Sequence, residues 1–272
     1  MASSTASSSA SAALTSSVSA ATTGAAPAGG GSRRLLLRLI GTPVALALVL
    51  LALYLWAHGQ QLDSIEQRTL NYSYLSTAVV QHLELTGLAT LLVVVIAIPL
   101  GILMTRKATK PLRPLVIGLA NLGQATPAIG LLVLLTIKFG VGFHVAMIGL
   151  VAYAVLPVLR NTMIGIEQVD PALVEAARGM GMRPLQVLRG VELKLAVPVI
   201  LAGLRTALVL SVGVATLATF VAAGGLGDII VNGIKLDREP VLITGSVLTC
   251  CIAFAMDWLG GVAELVLRPR GI

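Results

Sequence analysis

Residues 170–194 read DPALVEAARGMGMRPLQVLRGVELK, a charged, glycine-broken island in a chain that otherwise consists of long apolar runs. Asp170 suits an N-cap, and Pro171 suits the first helical position, where its missing N–H would have no partner. Ala172 to Arg178 are helix formers, so a short helix is predicted there. Gly179 and Gly181 then permit a left-handed or otherwise sharp turn. A second short helix is predicted from Pro184 to about Arg189, with Leu185 and Leu188 sharing a face at i, i+3 spacing. The expected product is a helix-turn-helix with a small-residue surface at Ala176 and Ala177, rimmed by Glu175, Arg178, Arg183 and Arg189. It cannot span a membrane.

The surroundings of the island can. The chain has 272 residues, 56% of them hydrophobic and 11% charged, against about 25% charged in ordinary soluble domains. With a mean hydropathy of +0.93 this is the composition of an integral membrane protein. A helix crossing the hydrocarbon core needs roughly 20 mainly apolar residues. Candidate spans run from Leu39 to Trp56, Leu85 to Met104, Leu115 to Phe139, Val141 to Leu159, Val197 to Ala222 and Val241 to Leu267. The predicted fold is therefore an all-α, six-helix transmembrane bundle forming one domain over residues 33–272, with the island closing a loop of about 163–194.

The net charge of +7 would suggest a nucleic-acid partner only if the basic residues gathered on one face or element. They alternate by loop instead. Arg33, Arg34 and Arg38 precede the first span, Arg106, Lys107, Lys110 and Arg113 follow the second, and Arg160, Arg178, Arg183, Arg189 and Lys194 follow the fourth. Arg268 and Arg270 follow the last. The opposite loops hold Arg68, Lys138, Lys235 and Arg238, while Arg205 falls inside the fifth span. By the positive-inside rule both termini and the island are cytoplasmic, and no nucleic-acid role is expected.

Residues 1–32 are nearly all Ala, Ser, Thr and Gly, too poor in large apolar residues to build a core, and read as a disordered cytoplasmic tail. Because the basic cluster follows this tail and the first span is long, the segment reads as an uncleaved anchor rather than a signal peptide. The longest outer loop, about 57–84, carries Asn71-Tyr72-Ser73-Tyr74 near Trp56 and Tyr54, an aromatic belt compatible with a short interfacial helix. Cys250 and Cys251 are neighbours in an apolar run without ligand-spaced partners, so no metal or cofactor is expected. His58, His82 and His144 lie far apart near the outer loops and read as solvated or interfacial.

Small residues let membrane helices approach closely, which assigns Gly118, Gly123 and Gly130 to packing faces. Pro99, Pro127 and Pro157 are positions where a lost backbone donor bends a helix, as a static kink or as a hinge. Arg205 lies about two turns into its span and reads as an anchor that snorkels back to the surface. Asp257 has a short side chain and sits deeper, so it is expected to be paired or to face the bundle interior.

The island carries a more specific pattern. Glu175-Ala176-Ala177, then Gly181, then Val191 and Leu193 resembles the EAA loop of ABC-importer permeases, with Lys194 where proline is common and Pro198 one turn later. The resemblance continues through Gln124-Ala125-Thr126-Pro127, Tyr153 to Thr162 around Pro157, Arg160 and Asn161, Pro198 to Ala207, and Gly224-Gly225-Leu226-Gly227. Over residues 75–265 these segments look like permeases of the osmoprotectant type, which import glycine betaine, carnitine, choline or proline. The Gln124 segment is the loosest match, since such permeases usually have Thr after the Gln and an aliphatic residue before the Pro.

The resemblance implies a MetI-like permease fold in which the island is the coupling helix that enters a groove of a cytoplasmic ATPase. It assigns coupling to Glu175, Ala176, Ala177, Arg178, Gly179 and Gly181, and the translocation path or its gate to Gln124, Pro127, Asn161, Gly224, Gly225 and Gly227. It also implies a second permease copy or paralogue and a periplasmic or lipid-anchored solute-binding protein, the complex residing in the cell's inner membrane. The sequence contains no GxxxxGK[ST] phosphate cradle, so ATP hydrolysis is expected in a separate chain and no catalytic residue is expected here. The resemblance implies that the trimethylammonium group is selected by an aromatic cage in the solute-binding protein; this chain is only 4% aromatic, so a small-residue, weakly binding passage with little selectivity of its own is expected. A methionine or other small-solute permease shares the same core. An autonomous channel or secondary transporter would call for inverted repeats, broken helices and several intramembrane charges, and an intramembrane enzyme for a polar constellation among the spans.

Overall fold

The computed structural model describes residues 30–267, which are helical and without strands. In chain order the helices are α1 (Gly30–His58), α2 (Ser64–Thr69), α3 (Tyr72–Met104), α4 (Arg113–Ala125), α5 (Ala128–Phe139), α6 (Phe143–Glu167), α7 (Pro171–Gly179), α8 (Pro184–Val187), α9 (Leu193–Ala215), α10 (Leu226–Lys235) and α11 (Glu239–Leu267). Most of the expected N-terminal tail, together with Arg268 and Arg270, lies outside the described residues; Gly30 already belongs to α1. Residues through Gly41 and those from Thr42 onward form two separate units, and the packing below is that of the second.

Four single helices (α1, α3, α6 and α11) and one continuous rod, Pro184–Val221, are long and apolar enough to cross a membrane. The stretch expected as the third span is bent: α4 and α5 meet at 102°. The cause is local. Thr126, held before a proline, adopts extended geometry (ψ 137°), and Pro127 has no N–H to continue the ladder. The ends are closed locally, with the Thr126 hydroxyl donating to the Leu122 carbonyl (2.7 Å) and the Leu131 amide to the Pro127 carbonyl (2.9 Å). Each arm, of 13 and 12 residues, is only about 20 Å long, so only the pair together could cross. Pro99, Pro157 and Pro198, by contrast, sit inside unbroken helices.

Helix α6 is the axis of the bundle. Its Val145, Ala146 and Leu150 pack with Leu85 and Ala89 of α3, Leu132 of α5 and Val214 and Ala215 of α9. Further along, Ala154, Val158, Leu159 and Met163 meet Val93, Ala97 and Met104 of α3 and Ala207 of α9. Many contacts are between small residues, as expected where lipid offers no hydrophobic force between helices. A Cβ added to Gly203 would lie 2.6 Å from the Asn161 Cβ and 2.8 Å from the Pro157 carbonyl oxygen, so α9 and α6 touch through backbone there. Of the glycines expected on packing faces, Gly123 does abut the Ala152 carbonyl, while Gly118 faces open space and Gly130 meets only Pro127, at 3.9 Å. No residue of α1 from Thr42 to His58 is buried.

The short helix anticipated in the loop after α1 is α2. Asp63 and Glu66 close a capping box at its start: the Asp63 carboxylate accepts from the Glu66 amide, and Glu66 accepts from the Asp63 amide (both 2.9 Å). The Glu66 amide, with the Arg238 guanidinium that pairs with Asp63 and the Ile65 amide, holds its carboxyl below the usual carboxylate range.

Candidate functional site

The island forms as the local chemistry dictates. The Asp170 carboxylate accepts from the Ala172 amide (2.8 Å) and starts α7 behind Pro171. The helix ends in a Schellman motif: Gly181, at φ +82°, donates its amide to the Arg178 carbonyl (2.9 Å), and Met182 donates to the Ala177 carbonyl (3.2 Å). The left-handed residue is Gly181, while Gly179 remains helical. The second arm differs from expectation. Instead of stopping near Arg189, α8 passes through a π turn, Leu188–Glu192, straight into α9, which a 3-10 segment, Thr216–Val221, extends into one 38-residue rod. At about 57 Å this rod far exceeds the roughly 30 Å hydrocarbon core, so one end must project beyond it.

Both ends of the island are tied to one connection. Arg106, just past α3, holds Glu192 of the π turn with two hydrogen bonds (2.5 and 3.4 Å), and Arg113, at the start of α4, pairs with Glu167 at the end of α6. Ala177 is the buried anchor of α7 at 1% exposure. Glu175, Ala176, Arg178 and Gly179 are exposed, and with Leu173, Met180 (76% exposed) and Leu185 they form an uncovered surface that mixes apolar, small and charged groups. Chemically such a surface offers shape and a few charges for docking. It offers no nucleophile–base pair.

The other expected site residues fall in three places. Gln124 and Pro127 flank the bend between α4 and α5. Asn161 packs on Gly203, and its neighbour Arg160 donates to Asn121 of α4 (2.8 Å). Gly224 (φ +77°) and Gly225 (φ +94°) turn the chain into α10. There the Gly225 amide donates to Gln81 Oε1 of α3 (3.1 Å), and a Cβ on Gly224 would stand 2.6 Å from that oxygen. Gly227 lies against the Thr216 backbone, where no side chain fits. The turn faces a cavity of about 400 Å³ whose lining includes Tyr74, Thr77, Gln81 and Asp228. Asp228 accepts a hydrogen bond from the Thr219 hydroxyl.

Two histidine and arginine readings need correction. His82 is neither solvated nor interfacial: it is fully buried behind Gly225, and neither ring nitrogen makes a well-formed hydrogen bond, although the Val212 backbone carbonyl is near the ring. Arg205, expected as a lone anchor, has a partner: its guanidinium makes a two-pronged pair with Asp257 of α11. Asp257 is thus paired, as its depth required. Loop proximity misled the histidine reading. The helical series Ala78, His82, Leu85, Ala89, Val93, all buried, was the signal available.

Comparison with known proteins gives this architecture its context. Residues 97–265 match the family model described as binding-protein-dependent transport system inner membrane component. The chain is 41% identical over 200 residues to the carnitine transport permease protein OpuCD of Listeria monocytogenes, covering 73% of this chain and 89% of that protein. It is 39% identical to the osmoprotectant import permease protein OsmW of Salmonella typhimurium, covering 78% of this chain and all of the relative. A solved inward-facing structure of the MetNI methionine ABC transporter superimposes with a TM-score of 0.63 at 26% identity, over 72% of this chain and 96% of that one. With the family model spanning most of the bundle, this chain belongs to the family of binding-protein-dependent transport system inner membrane components.

Proposed function

We propose that this chain forms half of the translocation pathway of an ATP-driven importer for a compatible solute such as glycine betaine, carnitine, choline or proline. The observation that carries the reading is the α7–α8 island: an uncovered surface, held by ion pairs to the α3–α4 connection and continuous with the α9 rod. A partner that moved it would move a pore helix directly. Glu175, Ala176, Ala177, Arg178, Gly179 and Gly181 are the docking residues in this reading, and the occupant is a separate ATPase, so the chain itself is not an enzyme. Charge asymmetry supports cytoplasmic placement of both termini, the 1–32 tail and the island. The bend at Gln124 and Pro127, the Asn161–Gly203 contact and the turn at Gly224, Gly225 and Gly227 are the places where the path or its gate would flex. A second permease copy or paralogue completes the pore, and a solute-binding protein delivers the cargo.

The substrate class rests on relatives named for carnitine and for osmoprotectants, both near 40% identity over most of their length. The test is ATP-driven uptake by the co-purified complex in proteoliposomes, with radiolabelled glycine betaine, carnitine, choline, proline and methionine offered in parallel. Uptake of one or more of the first four, abolished without the ATPase, is expected. Uptake of methionine alone would reassign the substrate, and uptake that persisted without ATPase would remove the importer reading.

A further inference from the structure

The cavity beside the glycine turn has chemistry that a passive wall does not need. Its lining brings the Asp228 carboxylate, the Tyr74 ring and the Gln81 amide together around about 400 Å³, a volume suited to a small organic ligand. Asp228 has a structural duty, since it lies in the first turn of α10 and accepts from Thr219. That duty occupies one oxygen. Its Oδ2 carries no hydrogen bond, and among the described residues no cationic side chain lies within 4 Å of the carboxylate. Asp257, Glu192, Glu167 and Asp63, by contrast, are neutralised by Arg205, Arg106, Arg113 and Arg238; Glu84, which makes no such pair, lies on the exposed side of α3 rather than in this cavity. A half-buried carboxylate left without a counter-ion in a membrane bundle marks a place for a mobile cation.

The lining also says which cation. Asp228 is the single carboxylate of the lining, and among the described residues no group of three or more His, Cys, Asp and Glu side chains comes together to hold a metal ion. An ammonium group with N–H donors would need several free acceptors at short range, whereas Gln81 Oε1 and one Asp228 oxygen already accept from the Gly225 amide and the Thr219 hydroxyl. A quaternary ammonium group needs none: it is held by a diffuse negative potential and by an aromatic ring, and the lining includes Asp228 for the first and Tyr74 for the second. The site is preorganised, because Gln81 is locked to the Gly225 amide and only glycine leaves room for it at position 224. With a single ring, its affinity is low, as a site in transit requires.

We infer that this cavity is a low-affinity binding site for a quaternary ammonium cation at the mouth of the pathway. The side it opens to rests on the importer reading above; its chemistry does not. The choline group of a free solute and that of a phosphatidylcholine headgroup share this chemistry.

The experiment uses the co-purified complex, without solute receptor or ATP, in nanodiscs of phosphatidylethanolamine and phosphatidylglycerol, with tetramethylammonium as the probe in ligand-observed NMR. Saturable binding is expected, displaced by choline but not by its neutral isostere 3,3-dimethylbutan-1-ol. Asp228→Asn, which keeps the acceptor for Thr219, is expected to weaken binding roughly tenfold. Tyr74→Leu is expected to weaken it while Tyr74→Phe preserves it, and this pair carries the test if the Asp228 variant does not assemble. Absence of saturable binding, equal competition by the neutral alcohol, or both Asp228→Asn and Tyr74→Leu binding like the parent would overturn the site. A parallel arm in phosphatidylcholine nanodiscs separates the sources: probe binding that persists identifies the free solute as occupant, and probe binding that is suppressed identifies the headgroup. Uptake assays on the same preparations keep the two proposals apart. ATP-driven choline or betaine uptake without probe binding sinks only this site, whereas probe binding without any such uptake sinks only the importer's substrate.

Discussion

At the scale of single residues the bundle is governed by what lipid cannot solvate. Arg205 on α9 and Asp257 on α11 each cost on the order of 3 kcal/mol to place in a membrane alone, and together they form one two-pronged pair. Asp257 could be read from the sequence as needing a partner because its side chain is short; the identity of the partner could not, because only the tertiary fold brings α9 and α11 together. Asp257→Asn leaves a guanidinium without its counter-ion. The loss expected is about 1–2 kcal/mol, below the cost of a fully buried pair because both side chains are more than one-third exposed. Apolar replacement of both, Arg205→Met with Asp257→Leu, is expected to restore most of it. The check is the unfolding midpoint of the purified chain in detergent. An Asp257→Asn protein as stable as its parent removes the structural role, and one that folds normally yet loses response to a proton gradient points to a relay instead.

At the scale of elements the island was legible almost to its caps, since Asp170, Pro171 and the glycines act on their immediate neighbours. Its junction with α9 was not. A helix end is visible in sequence when a breaker stands there, and between Arg189 and Leu193 there is only Gly190, which the π turn absorbs. At Pro127 the bend itself was legible, since a proline inside the apolar run Leu115–Phe139 removes a backbone donor; its size, 102°, follows from the extended geometry imposed on Thr126. The caps that were readable make a prediction. Gly181→Val places a β-branched residue at φ +82°, at a cost of roughly 1–2 kcal/mol, and opens the Schellman turn. The permease is expected to insert and to bind its ATPase weakly, with solute uptake at least about tenfold below the parent. Glu175→Arg, which changes only the exposed face, is expected to reproduce the loss without altering the turn. Parental uptake by both variants would show that the island is only a connector.

At the scale of the whole molecule, length and charge make a single argument. Helix α3 has 33 residues and the Pro184–Val221 rod 38, about 50 and 57 Å, so each overshoots the hydrocarbon by a wide margin. The overshoot must lie where polar groups collect: for the rod that is the end carrying Glu192, tied to Arg106 and close to the Arg113–Glu167 pair, whereas for α3 it is the start, where Ser73, Ser76, Thr77, Gln81, His82 and Glu84 precede the apolar run to Met104. We propose that the basic residues in the short loops around Arg106 and the island place that end of the bundle inside the cell, with α2 and the start of α3 outside. The orientation can be measured one position at a time. On a Cys250→Ser, Cys251→Ser background, a cysteine replacing Met180, the most exposed large apolar residue of the island, is expected to react with a membrane-impermeant maleimide only after the cells are opened. A cysteine replacing Ile65 on the exposed face of α2 is expected to react in intact cells. The reverse pattern would invert the topology and put the island beyond the reach of any cytoplasmic ATPase, because no groove of such a partner extends through the bilayer to meet it.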